Sequence, residues 1–145
     1  MDTIADARPF LDRQASLAIW HAAYDGAGES IVYANRLFCE TFGLSLEEVL
    51  ERRRYHLVNP PDTTAETIAQ YKAEDRQAMD NGCFLQSSPL EDGRCIVVLK
   101  LRFDRGMLGL FKFVDDDDSD PPNSPSDLDA DFRAVIERVN KELLA

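Results

Sequence analysis

A strand that turns directly into a helix is the feature that most constrains how this chain folds. Residues 31–50, IVYANRLFCETFGLSLEEVL, begin with the alternation of a strand and continue from Asn35 with apolar residues at helical spacing. An asparagine at the start of a helix accepts hydrogen bonds from exposed backbone N–H groups, so no loop is required there. Gly43 is placed to end this helix, and Ser45 with Glu48 can cap the next one. The sequence therefore predicts a tight corner that folds a helical wall over a sheet.

The elements on either side of this corner group by type. Two strands are predicted at 17–24 and 31–34, joined by the turn DGAGES. Helices are predicted at 35–42, 45–51 and 63–80, and three strands follow with the sequences CFLQSSPL, RCIVVLKLRF and MLGLFKFV. Strands at both ends with helices between them favour one antiparallel sheet with helices on one face, an α+β fold.

Composition limits both the number of cores and the class of partner. The chain has 145 residues, of which 44% are hydrophobic, which is enough for one globular core. Its formal net charge of −11 disfavours binding to nucleic acid or to an anionic membrane surface, because both would repel it at long range. The sequence has neither a signal-peptide pattern nor a long apolar run, so we expect a cytoplasmic location. The three cysteines lack CxxC spacing and are interpreted as small hydrophobic residues.

Flanking segments are predicted on both sides of a domain at 16–115. Residues 1–15 show a loose helical pattern interrupted by Pro9, and we interpret them as an N-terminal flanking helix. Residues 116–125 belong to the acidic, proline-rich stretch DDDDSDPPNSPSD and are interpreted as a solvated linker. Residues 126–145 are predicted to form one amphipathic helix, whose apolar residues are Leu128, Phe132, Val135, Val139 and Leu143.

The acidic run is not predicted to hold calcium. Counted from Asp115, Asp120 occupies the position at which a calcium-binding loop needs glycine, and Ser126 occupies the position of the bidentate glutamate. Ser126 is instead expected to form a capping box with Asp129 at the start of the C-terminal helix.

The strand at 94–103 carries apolar residues on both faces. One face carries Cys95, Val97, Leu99, Leu101 and Phe103. The other mixes two apolar with two basic residues, namely Ile96, Val98, Lys100 and Arg102. We expect the first face to meet the central helices. The second face, extended by Leu108 and Leu110 of the last strand, is expected to form an outer apolar patch that another element covers.

The order of elements and three segments resemble a PAS domain over roughly residues 16–115. The segments are the corner at 31–50, the stretch YHLVNPPD after it, and EDRQAMDNG at the end of the long helix. The marked positions of the family pattern YANxxFxxxFG are matched by Tyr33, Asn35, Phe38, Phe42 and Gly43. The resemblance implies a PAS-like five-stranded antiparallel sheet, with Tyr33, Asn35 and Gly43 as the structural corner, and a role in signal transduction. It specifies the fold better than the function, because one scaffold serves many roles.

Neither a cofactor nor a metal is expected. Flavin-binding members of the family carry a reactive cysteine shortly after the second helix, where this chain has Arg54. The stretch GCFLQ around Cys83 resembles the flavin-binding segment in sequence. It follows the long helix, so Cys83 does not occupy the position of the reactive cysteine. Haem-binding members use a histidine of the long helix, and residues 63–81 contain none. No cluster of metal-ligating residues accompanies His21 or His56 in the sequence.

A weak pocket between the sheet and the helices is the remaining candidate for a binding site. Its predicted lining is aromatic and aliphatic: Phe38, Phe42, Tyr55, Leu57, Tyr71, Met79, Val97, Leu99, Phe111 and Phe113. For a domain of this size, we favour the interpretation that these side chains fill the core.

Two hypotheses for function lead, and catalysis is not among them because no catalytic motif is present. The first is a stand-alone, non-catalytic PAS-type module of bacterial two-component signalling, acting by contact with a histidine kinase or another PAS protein. The second is a sensor whose pocket ligand alters the packing of the flanking helices. A small α+β cone enzyme with a buried aspartate and tyrosine is the less favoured alternative.

Self-association as a homodimer is also predicted, through the outer face of the sheet and one or both terminal helices. The expected interface consists of exposed apolar side chains, namely Ile96, Val98, Leu108, Leu110, Phe132, Val135, Val139 and Leu143. The competing interpretation is that the N-terminal helix covers the sheet within one chain and leaves the C-terminal helix for another partner.

Overall fold

The computed structural model describes residues 3–25, 28–53, 62–90, 92–115 and 122–144. The helices in these ranges are α1 (Ile4–Asp12), α2 (Arg36–Phe42), α3 (Leu46–Arg52), α4 (Ala65–Asn81) and α5 (Ala130–Asn140). The strands are β1 (Ala18–Asp25), β2 (Gly28–Ala34), β3 (Cys83–Pro89), β4 (Arg94–Phe103) and β5 (Gly106–Asp115). Short 3₁₀ helices at Pro125–Asp127 and Lys141–Leu144 flank α5.

The described strands form one antiparallel five-stranded sheet in the order β2-β1-β5-β4-β3. The N-terminal hairpin joins the C-terminal strands through β1 and β5, whose register pairs Ala18 with Phe111 and Trp20 with Gly109. Helices α2, α3 and α4 pack on one face, here called the inner face, and α1 and α5 pack on the opposite, outer face. The predicted α+β class with a five-stranded antiparallel sheet is confirmed.

Asn35 holds the predicted corner together with its side chain. Its Oδ1 accepts from the backbone N–H of Phe38 at 3.1 Å, which caps α2, and from that of Ile19 at 2.9 Å. Its Nδ2 donates to the carbonyl of Leu17 at 2.7 Å and to that of Gln14 at 3.2 Å. The amide is only 2% exposed, so these bonds are shielded from water. One side chain thus joins the start of α2 to β1.

The end of α2 and the start of α3 lie where the sequence predicts them. Gly43 ends α2 in the left-handed conformation, with φ of 68°. Ser45 and Glu48 form a complete capping box at the start of α3. Because glycine adopts positive φ without steric cost, the chain reverses within two residues.

The two faces of β4 are the reverse of the prediction. Ile96, Val98 and Lys100 face the inner helices, whereas Val97 and Leu99 belong to the core beneath the terminal helices. Both faces are covered, so apolar residues occur on both and their pattern does not identify which is inner. The basic residues face inward because α4 supplies partners there for Lys100 and Arg102.

The outer face is covered within the chain by α1 and α5. Phe132, Val135 and Ile136 of α5 are almost completely buried in one cluster with Leu108 and Leu110 of the sheet. This packing contradicts the competing interpretation, in which the C-terminal helix is left free, whereas the predicted dimer stays a prediction.

Polar contacts at the edges fix the two terminal helices. The hydroxyl of Tyr33 donates to Asp12 of α1 at 2.7 Å. Lys112 of β5 forms ion pairs with Asp129 at 2.7 Å and with Asp131 of α5 at 3.0 Å. Asp131 also accepts a hydrogen bond from the hydroxyl of Ser16 at 2.7 Å.

The C-terminal segment is shorter and more broken than the single helix predicted for 126–145. The backbone of Leu128 is extended, with φ of −75° and ψ of 160°, so it separates the first 3₁₀ helix from α5. This break turns the Leu128 side chain onto the outer face, where it is 6% exposed. The predicted capping box fails, because Asp129 stands at the N-cap of α5 without a side-chain capping bond.

Other expectations fall partly or wholly outside the described residues. The acidic stretch 116–121, Arg54, Tyr55, His56 and Leu57 are among those not described. Within the described ranges, Cys39, Cys83 and Cys95 form no disulfide bond. None of the described helices has the length and apolar character that a membrane span requires.

Candidate functional site

A pocket of about 240 Å³ lies between the inner face of the sheet and the helices α2 and α4. Its wall combines aromatic rings from both layers with two aliphatic and three polar side chains. The lining residues are Trp20, Phe38, Thr41, Phe42, Tyr71, Glu74, Ile96, Val98, Lys100, Phe111 and Phe113.

The aromatic rings of the wall pack at an angle to one another. The centroids of Trp20 and Phe38 are 5.5 Å apart, and those of Phe38 and Phe42 are 4.7 Å apart, in tilted arrangements. Phe111 meets Phe113 edge-on at 5.8 Å. Phe113 is 39% exposed, and the guanidinium of Arg94 lies 4.7 Å from its centroid. The pocket thus has an apolar, aromatic interior.

Lys100 and Glu74 form the polar end of the pocket, and Lys100 also pairs with Asp75, which is not part of the wall. The Nζ of Lys100 lies 2.7 Å from Asp75 Oδ1 and 3.3 Å from Glu74 Oε1. It also donates to the carbonyl of Tyr71 at 3.5 Å, and it lies 5.7 Å from the Tyr71 ring centroid. The side chains of Lys100 and Asp75 are 4% and 1% exposed, so these charges interact in a medium of low polarity. Burial raises the pKa of Tyr71, with a smaller contribution from Glu74, so its hydroxyl stays protonated.

The structure brings part of the predicted pocket lining together. Phe38, Phe42, Tyr71, Phe111 and Phe113 line the pocket. Met79 packs against the inner core but is not part of the wall. Val97 and Leu99 lie on the outer face and are corrections to the predicted lining. Tyr55 and Leu57 lie outside the described residues.

The residues of the predicted dimer interface lie on both faces of the sheet. Ile96 and Val98 line the pocket instead of the outer face, because they share the inner side of β4 with Lys100. The other predicted interface residues are buried or half-buried where the terminal helices of the same chain pack on the outer face. Leu108 and Leu110 lie on the sheet, and Phe132, Val135, Val139 and Leu143 lie on the C-terminal segment.

Sequence analysis missed Trp20, Thr41, Glu74 and Lys100 as pocket residues. A signal for Lys100 was present, because a lysine inside an apolar strand requires a buried partner, and Asp75 stands among apolar residues of α4. The alternation of β1 separates Trp20 from His21 and Asp25 but does not show which face of the strand meets the helices.

His21 is buried away from the pocket, on the outer face. Its Nε2–H donates to the carbonyl of Phe103 at 2.8 Å, and its Nδ1 has no hydrogen-bond partner among the described residues. Burial lowers the pKa of His21, against the opposing effects of that hydrogen bond and of Asp104. In the ranges that the structure describes, no group of three or more His, Cys, Asp or Glu side chains is placed to hold a metal ion.

Comparison with known proteins identifies no family for this chain. Neither a family model nor a curated protein matches the chain. Among solved structures, the chain is similar to a light-oxygen-voltage domain from a study of a flavin analogue. The sequence identity is 20% and the TM-score 0.45, over 77% of this chain and 87% of that one. A likeness at this TM-score carries no argument about fold, cofactor or activity, so membership in the PAS family stays a prediction.

Proposed function

We propose that this chain is a non-catalytic signalling module of the PAS type, in which a small molecule in the pocket changes how the terminal helices pack. The response would pass by contact to a second protein, such as a histidine kinase or another PAS protein. The observation that carries the proposal is that the strands lining the pocket also form the surface beneath α5.

Strand β4 provides the first connection between the two faces. Val98 lines the pocket, while its neighbours Val97 and Leu99 lie beneath the terminal helices. Successive side chains of a strand point to opposite faces, so only one layer of backbone separates ligand from helix. A ligand that displaces Val98 would therefore shift the surface on which α5 rests.

Strand β5 provides a second, polar connection. Phe111 and Phe113 line the pocket, and Lys112 between them forms ion pairs on the outer face with Asp129 and Asp131. A change in the backbone of β5 would alter the distance between Lys112 and these carboxylates. Since ion pairs near the surface contribute little stability, they can rearrange at low cost while the buried side chains of α5 keep the helix on the sheet.

The alternative is a module that acts by contact alone, with the pocket side chains serving only as core. The aromatic pocket of about 240 Å³ favours the sensor, because it is an apolar recess that the surrounding side chains leave unfilled. The two hypotheses differ in one consequence: only the sensor requires the state of the pocket to affect α5.

The predicted homodimer stays a prediction. The outer face is covered by α1 and α5 of the same chain, so a dimer through that face would have to exchange residues 122–144 between two copies. Such an exchange reproduces in each copy the contacts of Phe132 and Val135 with the sheet.

Filling the pocket tests the sensor without requiring a known ligand. Val98→Phe adds a ring to the pocket, and the matched control Val32→Phe makes the same change at a residue that is 44% exposed on β2. We expect Val98→Phe to change the amide hydrogen exchange of residues 130–140, and Val32→Phe to leave it unaltered. Fluorescence of Trp20, the only tryptophan in the chain, reports whether the pocket has changed.

Unaltered exchange of α5 in a Val98→Phe variant whose Trp20 emission has shifted would contradict the sensor hypothesis. It would favour the module that acts by contact alone.

A further inference from the structure

The pocket offers hydrogen-bond acceptors to a ligand, and its ammonium group is already engaged. We propose that it binds a small aromatic amine, with the rings among Trp20, Phe38 and Phe111 and the protonated amino group at Glu74. This inference rests on the proposed sensor function and names the chemical class of its ligand.

The volume of the pocket suits a ligand of one or two fused rings. A cavity of about 150 Å³ holds benzene. The 240 Å³ available here exceeds that by less than a factor of two, so it suits a bicyclic ring with a short side chain. Rings can stack or pack edge-on against Trp20, Phe38 and Phe111, whose centroids are 5.5 to 6.3 Å apart.

Lys100 has no N–H left for an anionic ligand. An ammonium group has three donors. Those of Lys100 are directed at Asp75 Oδ1 at 2.7 Å, Glu74 Oε1 at 3.3 Å and the Tyr71 carbonyl at 3.5 Å. A ligand carboxylate would have to displace one of these partners and would face the charges of Glu74 and Asp75.

Glu74, in contrast, can accept a further hydrogen bond. A carboxylate has about four lone-pair sites. Among the residues that the structure describes, two donate to Glu74: Lys100 at 3.3 Å, and Gln70 to its Oε2 at 3.4 Å. Its side chain is 13% exposed and forms part of the pocket wall, so a ligand donor can approach it in a partly desolvated site.

The local charge also favours a cation. Glu74, Asp75 and Lys100 sum to −1, and Arg94 at the mouth is paired with Asp92 at 2.6 Å. The faces of aromatic rings attract cations electrostatically, which adds to the effect of the carboxylates. The net charge of −11 on the whole chain acts in the same direction at long range.

Three indoles of similar size and different charge test the proposal: tryptamine, 3-ethylindole and indole-3-propionate. Isothermal titration calorimetry on the full chain, at fixed salt and neutral pH, is expected to show tryptamine binding about tenfold more tightly than either of the others. Glu74→Gln is expected to reduce tryptamine affinity to that of 3-ethylindole. Glu66→Gln, an exposed carboxylate on the same helix, is the control and should leave all three affinities unchanged.

Binding should take place in the pocket and nowhere else. Val98→Phe is therefore expected to remove the binding of tryptamine and of 3-ethylindole together.

Two other results of the titrations would overturn the proposal. Equal affinities for the three indoles, or tightest binding of indole-3-propionate, would exclude the amine as the recognised group and leave a pocket for apolar rings. Absence of binding by all three would exclude this ligand class altogether. The sensor function would then still be decided by hydrogen exchange of α5 in Val98→Phe, which involves no ligand.

Discussion

The indole of Trp20 occupies the space in which a side chain at position 109 would begin. Trp20 and Gly109 are cross-strand partners in β1 and β5, and a Cβ at Gly109 would overlap the ring atoms Cε2, Cζ2 and Cη2 of Trp20. The absence of a side chain at Gly109 thus allows the indole to lie against the sheet and form one wall of the pocket.

Gly109→Ala should therefore displace Trp20 into the pocket. We expect the free energy of unfolding to fall by about 1–3 kcal/mol, as for other overpacked sites. We also expect a shift of the Trp20 emission maximum in the native state, measured alongside urea unfolding.

Gly93→Ala is the matched control for that change. A Cβ at Gly93 has nothing within 4 Å, although its φ of +84° makes the substitution strained. It should lower stability without altering the native emission of Trp20. A Gly109→Ala variant with unchanged native emission would contradict the proposed packing.

The corner offers a second prediction, because Asn35 does more than cap a helix. Asn35→Ala removes the cap of α2 together with the partners of buried backbone groups on β1. We expect a loss of about 2–4 kcal/mol, the sum of a lost cap and of unsatisfied buried groups. Ser45→Ala, at the exposed cap of α3, should lose about 1 kcal/mol. Equal losses in urea unfolding of the two variants would mean that the bonds of Asn35 to β1 contribute nothing.

The corner could be predicted from sequence because all of its determinants are local. The change of period at Asn35, the glycine at position 43 and the capping box at Ser45 each act within a few residues. The α+β class with one antiparallel sheet followed from the grouping of strands and helices along the chain. The order of the strands within the sheet was not predicted, because it depends on pairing between distant segments.

The faces of β4 could not be predicted, because the difference depends on distant residues. Both faces carry apolar residues. Lys100 lies on the inner face because its partner Asp75 is there, 25 residues away in the chain. Because the faces of β4 were exchanged in the prediction, Val97 and Leu99 were assigned to the pocket in place of Ile96 and Val98.

His21 predicts how stability depends on pH. Burial lowers its pKa from the ordinary value of 6.5, so the folded protein resists a proton that the unfolded chain accepts. Stability is therefore expected to fall as pH drops through about 6.5 toward the lower folded pKa. His21→Gln should lack this contribution, so its urea midpoint should fall less than that of the wild type between about pH 7.5 and pH 5.5. Parallel midpoint curves for the two proteins would show that His21 does not contribute.

The buried ion pair at the end of the pocket gives the last prediction. Lys100→Met would leave the carboxylate of Asp75 buried without the ammonium that lies 2.7 Å from it. Removing one member of a buried pair typically costs about 3–5 kcal/mol, and we expect a loss of that size in urea unfolding at neutral pH. The double variant Lys100→Met with Asp75→Leu removes both charges and should recover most of this loss, because apolar groups then fill the site. Arg36→Met breaks an exposed pair with Glu40 and should stay close to the wild type. If the double variant is no more stable than Lys100→Met alone, the cost does not come from an uncompensated charge, and packing of the lysine stem against Tyr71 becomes the explanation to test.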